Sequence, residues 1–292
     1  MSTTFQGCYT ALVTPFRNNQ VDYAALADLV EFQIAGGVDG IVPVGTTGES
    51  PTLNFDEHEE VIRFVVEKIN RRCQVIVGTG ANSTAEAVHL TKECRHLGVD
   101  ATLQVTPYYN KPTPEGLYRH FMTVAEEGGL PVILYNVPGR AGRDIPVPTV
   151  ARLAKSPLIV AIKEAGGDVD RVSKILDACD LTVLSGDDAL TLPMMALGAT
   201  GVISVFSNIC PREMTELTHA ALGGDWETAR AIHRKYYRVI GDIFIETNPI
   251  PIKTALAMMG RVAEEFRMPL CSMEPANRQK LEGSLRAMGI LK

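Results

Sequence analysis

Eight short apolar runs, each followed by an amphipathic or loop-forming stretch, constrain this chain more than any other feature. The runs are Tyr9–Val13, Gly40–Val44, Val75–Gly78, Ala101–Val105, Val132–Asn136, Ile159–Lys163, Thr182–Ser185 and Gly201–Ser204. Such short, nearly continuous apolar runs read as parallel strands covered on both faces. Their ends recur every 19 to 34 residues, the size of one βα unit. Between them, Ala24–Ala35 places Leu26, Leu29, Val30 and Ile34 on one helical face, and Glu57–Ile69 does the same with Val61, Ile62, Val65 and Ile69. Ser83-Thr-Ala-Glu86 has the spacing of a capping box. The pattern predicts an α/β fold, a (β/α)8 TIM barrel over residues 1–224. A doubly wound open sheet is the alternative, but eight regular repeats favour closure. Residues 225–292 carry no strand pattern and predict a small C-terminal helical domain. Its three helices are expected over Trp226–Ile240, after Pro249–Pro251 and after Pro275. With 292 residues, 46% of them hydrophobic, the chain can fill a barrel core and carry this appendage.

Several function classes are disfavoured. The net charge is −6 and no basic cluster occurs, which argues against nucleic acid as a partner. No apolar run reaches the length of about 18 residues that a transmembrane helix needs. Met1–Cys8 lacks a basic n-region and leads into a strand, which argues against a signal peptide. The cysteines at 8, 73, 94, 179, 210 and 271 form no C-x-x-C pair and read as reduced thiols in a cytoplasmic protein.

In a barrel of this kind, chemistry sits at the C-terminal strand ends. Lys163 ends the apolar run Leu158-Ile-Val-Ala-Ile162. A buried ammonium is costly, whereas a neutral amine attacks carbonyls to form Schiff bases. The competing reading is a strand-end lysine that snorkels to solvent. Tyr135 ends the preceding strand, so the two tops are neighbours, and a tyrosine hydroxyl there can relay protons. A half-buried tyrosine bonded to a backbone carbonyl is the alternative. Gly45-Thr-Thr-Gly48 reads as an ordinary turn or as a nest of N–H groups for a carboxylate. Arg140 suits bidentate carboxylate binding, or is a solvated surface arginine.

All six histidines fall in segments read as helical, so a histidine base or zinc site on the rim is disfavoured. Glu49, Glu164, Asp187 and Asp188 could together hold magnesium, but Asp187 or Asp188 is better read as a helix cap. Gly78-Thr-Gly-Ala-Asn-Ser83 imitates a dinucleotide fingerprint. Its third glycine is replaced by Ser83, and it follows the third strand, which disfavours a nicotinamide site.

Together these strand-end residues resemble the pyruvate-dependent class I aldolase superfamily that includes N-acetylneuraminate lyase. Nearly the whole chain resembles its dihydrodipicolinate synthase family. The motifs that carry the resemblance include Val44-Gly-Thr-Thr-Gly-Glu-Ser50, Val105-Thr-Pro-Tyr-Tyr-Asn-Lys-Pro112, Leu134-Tyr-Asn-Val-Pro-Gly-Arg140, Ile162-Lys-Glu-Ala165 and Asn248-Pro-Ile-Pro251. The resemblance implies condensation of pyruvate with L-aspartate 4-semialdehyde, in the diaminopimelate route to lysine, with no metal or organic cofactor. It implies that Lys163 forms the imine and that Tyr135 gives and takes protons. Thr46 and Tyr109 would complete the relay, the latter across a dimer interface in a homotetramer built as a dimer of dimers. The Thr47 region would bind the pyruvate carboxylate, the Ile203 carbonyl would lie beside the lysine, and Arg140 would bind the aldehyde's carboxylate. Lysine-sensitive members match at Ser50, His58, Asn82, Glu86 and Tyr108.

This chain departs from the family at Ala141, commonly threonine, at Pro51, usually alanine, and at Phe55, often histidine in lysine-sensitive members. These last two changes predict weak feedback by L-lysine. Two rivals remain: an aldolase of the superfamily acting on a sugar acid, disfavoured by Arg140 and Tyr109, and a non-catalytic metabolite-binding barrel, disfavoured by the intact Lys163, Tyr135, Thr46 and Tyr109.

Overall fold

A computed structural model describes residues 4–291. Residues 1–3, part of the stretch expected to carry no leader, lie outside it, as does the last residue of the expected C-terminal domain. Eight parallel strands form a closed barrel: β1 Gly7–Ala11, β2 Gly40–Val42, β3 Gln74–Gly78, β4 Ala101–Val105, β5 Val132–Asn136, β6 Ile159–Glu164, β7 Thr182–Ser185 and β8 Gly201–Ser204. Closure is direct, because β1 pairs with β2 on one side and with β8 on the other. The β1–β8 seam depends on two facing glycines. A Cβ added to Gly201 would lie 2.1 Å from the Gly7 carbonyl oxygen, and Gly7 itself has φ +87°.

The expected strands all form, with shifted ends. β1 begins two residues earlier than expected, since Gly7 pairs with Gly201, and it stops at Ala11. β2 ends at Val42 because Pro43 has no N–H to donate and Val44 turns away with φ +47°. A two-stranded hairpin, Phe16–Arg17 with Gln20–Val21, was not expected. Its signal was present: Asn18 and Asn19 both take positive φ, as a two-residue hairpin turn of this hand requires.

Alternation along each strand sorts the core. Tyr9, Val42, Ile76, Leu103, Ile133, Ala161, Leu184 and Ile203 fill the barrel interior. Their neighbours in sequence pack outward against the helices. Helices Trp226–Asp242, Ile250–Met258 and Pro275–Ala287 correspond to the three expected. They share one apolar cluster with Leu26, Leu29, Ile62 and Phe206 of the barrel, through residues such as Ile252, Leu256, Leu281 and Leu285. Burying each such side chain contributes roughly 1.5–3 kcal/mol. No helix among the described residues is long and apolar enough to cross a membrane.

The helical reading holds for five histidines but not for His96, which lies in the turn after helix Thr84–Glu93. Two helical histidines are buried. His58 donates through its Nε2–H to the Gly78 carbonyl, 2.8 Å away. His120 meets the Thr84 hydroxyl through Nδ1 at 2.9 Å. Burial holds the His58 pKa below its ordinary value and lowers that of His120 to about 4. A base whose folded value is depressed leaves the unfolded chain to take the proton first. Its contribution to stability is therefore full above pH about 6.5 and is lost as pH falls towards 4. We expect stability, and with it the melting temperature, to fall over that window, His120 accounting for up to about 3 kcal/mol of the fall, and His120→Gln to flatten it. Thermal melts of both proteins from pH 7 to pH 4 check this; parallel pH curves would contradict it.

Candidate active site

A cavity of about 380 Å³ opens at the C-terminal end of the barrel. Its lining includes Gly45, Thr46, Leu103, Val105, Tyr135 and Arg140. Lys163 is 5% exposed, so it does not snorkel. Its Nζ lies 4.3 Å from the centroid of the Tyr135 ring, and no acid lies within ion-pair distance among the described residues. The two residues are register partners on β5 and β6. A register shift at Val132/Ile133 sets Ala161, not Val160, opposite Ile133, and so brings Lys163 beside Tyr135.

The residues following this pair point outward and lock the register from behind. Asn136 Nδ2 donates to Glu164 Oε1 at 2.9 Å, and Arg171 Nε donates to Glu164 Oε2 at 2.7 Å. The Ile145 N–H donates to Asn136 Oδ1 at 2.9 Å. Burial raises the Glu164 pKa, opposed first by the Arg171 charge. Tyr135 is fixed through its backbone carbonyl, which accepts from the Thr106 hydroxyl at 2.8 Å. Its own hydroxyl has no partner among the described residues, contrary to the reading of a satisfied tyrosine. Gly186 leaves room for the lysine stem: a Cβ there would lie 2.8 Å from Lys163 Cε. Ile203 sits in the barrel interior on β8.

The Gly45–Glu49 turn supplies donors. Its Gly48 and Glu49 N–H groups are used internally, by Gly45 and Thr46 carbonyls. Among the described residues those of Thr46 and Thr47 donate to no acceptor, which leaves two adjacent amides for an anion. The Thr14 hydroxyl, in the loop after β1, holds the turn by donating to the Gly48 carbonyl at 2.7 Å. Thr47 Oγ1 accepts from Asn248 Nδ2 at 3.0 Å. Arg140, in the short helix Pro138–Ala141, donates to the Asn248 carbonyl at 3.0 Å rather than standing free at the surface.

The rim acids do not converge as a magnesium site would require. Glu49 pairs with Lys253, Glu164 with Arg171, and Asp187 caps the Ala189 N–H. Asp188 is not a cap; it accepts from Ser204 and from the Val205 and Phe206 N–H groups. Its burial raises its pKa to about 6. The glycines of the imitated dinucleotide fingerprint serve barrel packing instead. A Cβ on Gly78 would lie 2.4 Å from the Val44 carbonyl, and one on Gly80 would lie 2.4 Å from the Val105 N.

One expectation about the rim needs correction. His58 belongs to an outer helix, Phe55–Ile69, yet it is buried and lines the cavity. Ser50, Glu86 and Tyr108 line it too, as does Phe55. The Ser83–Glu86 capping box forms only in half. Ser83 accepts from the Glu86 N–H, while the Glu86 side chain faces the cavity instead of returning to the cap. Burial, and next the Glu86 charge, raise the Tyr108 pKa. Asn82 lies outside the lining and donates to the Tyr108 carbonyl at 3.2 Å. Tyr109 is 90% exposed, adopts φ +72° and lies outside the cavity of its own chain.

Two residues escaped the sequence reading. Lys253 is fully buried in helix Ile250–Met258 and pairs with Glu49. Burial lowers its pKa, opposed by Glu49. A lone lysine inside the apolar run Ile250-Pro-Ile-Lys-Thr-Ala-Leu256 was the available signal, because such a charge demands a buried acid. Asn248 was seen only as part of a motif.

The model of the dihydrodipicolinate synthetase family matches residues 4–288. The chain belongs to that family. A relative from Thermodesulfovibrio yellowstonii, named 4-hydroxy-tetrahydrodipicolinate synthase, is 53% identical over 99% of this chain and 100% of its own length. The dihydrodipicolinate synthase of Acinetobacter baumannii, solved complexed with pyruvate, superimposes with a TM-score of 0.97 at 46% identity. The match covers 99% of this chain and 100% of that one. The Cyanidioschyzon merolae enzyme, solved with lysine bound, gives 0.95 at 40% identity, covering 98% and 99%.

Proposed function

We propose that this enzyme joins pyruvate to L-aspartate 4-semialdehyde through an imine on Lys163. Its function is that of a 4-hydroxy-tetrahydrodipicolinate synthase, the name carried by its full-length relatives. The observation that carries the mechanism is the Lys163–Tyr135 pair, with the amine against the ring of a tyrosine that lines the cavity.

Lys163 Nζ attacks the pyruvate carbonyl carbon, and loss of water leaves a protonated imine. That cation is an electron sink, so a methyl proton departs and an enamine forms. The enamine carbon attacks the aldehyde. The amine of the second substrate then attacks the imine carbon, which closes the ring and releases Lys163. Tyr135 carries the protons, relayed by Thr46 and by Tyr109 from a second copy; the exposure of Tyr109 in one chain supports that crossing. The Thr47 turn holds the pyruvate carboxylate, the Ile203 carbonyl faces the amine, and Arg140 holds the carboxylate of the aldehyde substrate. The working form is a cytoplasmic homotetramer, a dimer of dimers, with residues 225–292 as a helical domain bracing the barrel.

The test is a screen of aldehydes with pyruvate, in which aspartate semialdehyde is expected to turn over and sugar aldehydes are not. Preference for a sugar aldehyde would overturn the assignment. In the same assay, Arg140→Ala should raise the KM for aspartate semialdehyde about tenfold or more while pyruvate imine formation persists, since a hydrogen bond to a charged group is worth about 1.5–3 kcal/mol. Equal loss of both half-reactions would make Arg140 structural.

L-Lysine is proposed as a weak effector contacting Ser50, His58, Glu86 and Tyr108, with Asn82 bracing the last of these. Glu86 suits an ammonium and the Tyr108 hydroxyl a carboxylate. Phe55 is half-exposed and edge-on to His89, and offers no polar contact where a histidine would. Partial inhibition is expected in the wild type, with affinity improved roughly fivefold or more in Phe55→His. A lysine titration of both proteins checks it; tight inhibition unchanged by the substitution would refute it.

A further inference from the structure

We infer that Asn248 is a positioning residue, whose side-chain amide leaves the Thr47 hydroxyl proton free for the pyruvate carboxylate. The inference rests on the proposed function. Asn248 is 7% exposed and touches both proposed carboxylate-binding elements. Its Nδ2 donates to Thr47 Oγ1 at 3.0 Å, and its main-chain carbonyl accepts from Arg140 at 3.0 Å.

A hydroxyl that receives an N–H keeps its own proton to give. Among the described residues, no acceptor claims the Thr47 proton. Receipt of the amide proton also polarises the hydroxyl as a donor. The turn itself does not depend on Asn248. Lys253 pairs with Glu49, the Arg267 N–H donates to Glu49 Oε2 at 3.2 Å, and Thr14 holds the Gly48 carbonyl. A change of the Asn248 side chain therefore alters the polarity of Thr47 while its backbone stays held. The Arg140 anchor is main chain, so it survives every substitution.

Asn248→Asp puts an acceptor where a donor stood and draws the Thr47 proton away. We expect the pyruvate KM to rise about tenfold or more, with kcat changed less than about threefold, because the lost contact is made in ground and transition states alike. The KM for aspartate semialdehyde should stay within about twofold. Asn248→Ala should fall between wild type and Asn248→Asp.

A Thr47→Val background separates the hydroxyl from the added charge. There, Asn248→Asp should raise the pyruvate KM by less than about threefold. A full tenfold rise in that background, an unchanged KM in Asn248→Asp, or a parallel rise in both KM values with a lower Tm would each overturn the inference. Borohydride trapping of pyruvate on wild-type Lys163 isolates the underlying reading. If trapping fails, the functional reading falls and this inference with it. If trapping succeeds and the Asn248 variants behave as wild type, only the positioning role falls.

Discussion

Lys163→Met is expected to lower turnover by at least about 10³-fold and to abolish covalent capture of pyruvate, because the amine that attacks the carbonyl is gone and no metal or organic electrophile is invoked to replace it. Methionine retains the stem that packs beside Gly186 and beneath the Tyr135 ring. The substitution removes an amine from a site that is 5% exposed, so the folded state should not suffer. Thermal melting should match or exceed the wild type. Assays with both substrates, at saturating pyruvate, measure the loss. Turnover within tenfold of the wild type would remove Lys163 from the chemistry, whatever its neighbours.

Tyr135→Phe tests the second half of the pair. The ring stays against Lys163 and the Thr106 bond to the residue 135 carbonyl is main chain on the accepting side, so geometry persists. Only the hydroxyl is lost. Proton transfer by a positioned side chain typically contributes about 10²–10⁴-fold, and kcat should fall by that order. Imine formation should slow yet still occur on Lys163, since the nucleophile remains. A variant with near-normal kcat would assign the proton relay elsewhere, and one that cannot be trapped at all would make the hydroxyl essential already to imine formation.

The barrel was legible because its signal is repetitive: eight apolar runs at βα spacing leave few ways to bury their faces. Register was not legible. The shift at Val132/Ile133 moves Lys163 into place beside Tyr135, and no residue type at Val160 announces it. Strand ends were off where backbone conformation, not hydropathy, decides, as at Pro43 and Val44. The candidate site was legible in its strand-end half: Thr46, Tyr135 and Arg140 line one cavity, and Lys163 lies against the Tyr135 ring. Its other supports come from far along the chain. Asn248 reaches Thr47 and Lys253 reaches Glu49 across about 200 residues, and pairing over such separation has no local pattern. The reading of His58 as remote from the rim failed for a different reason. Helical periodicity places it on an outer element, whereas its length carries the imidazole to the Gly78 carbonyl at the end of β3.

The most direct test of the account is borohydride reduction of the wild-type enzyme in pyruvate, followed by peptide mass mapping. The account predicts a single pyruvate-dependent adduct, on Lys163, with no adduct when pyruvate is left out. An adduct on any other lysine, or none at all under turnover conditions, would contradict it.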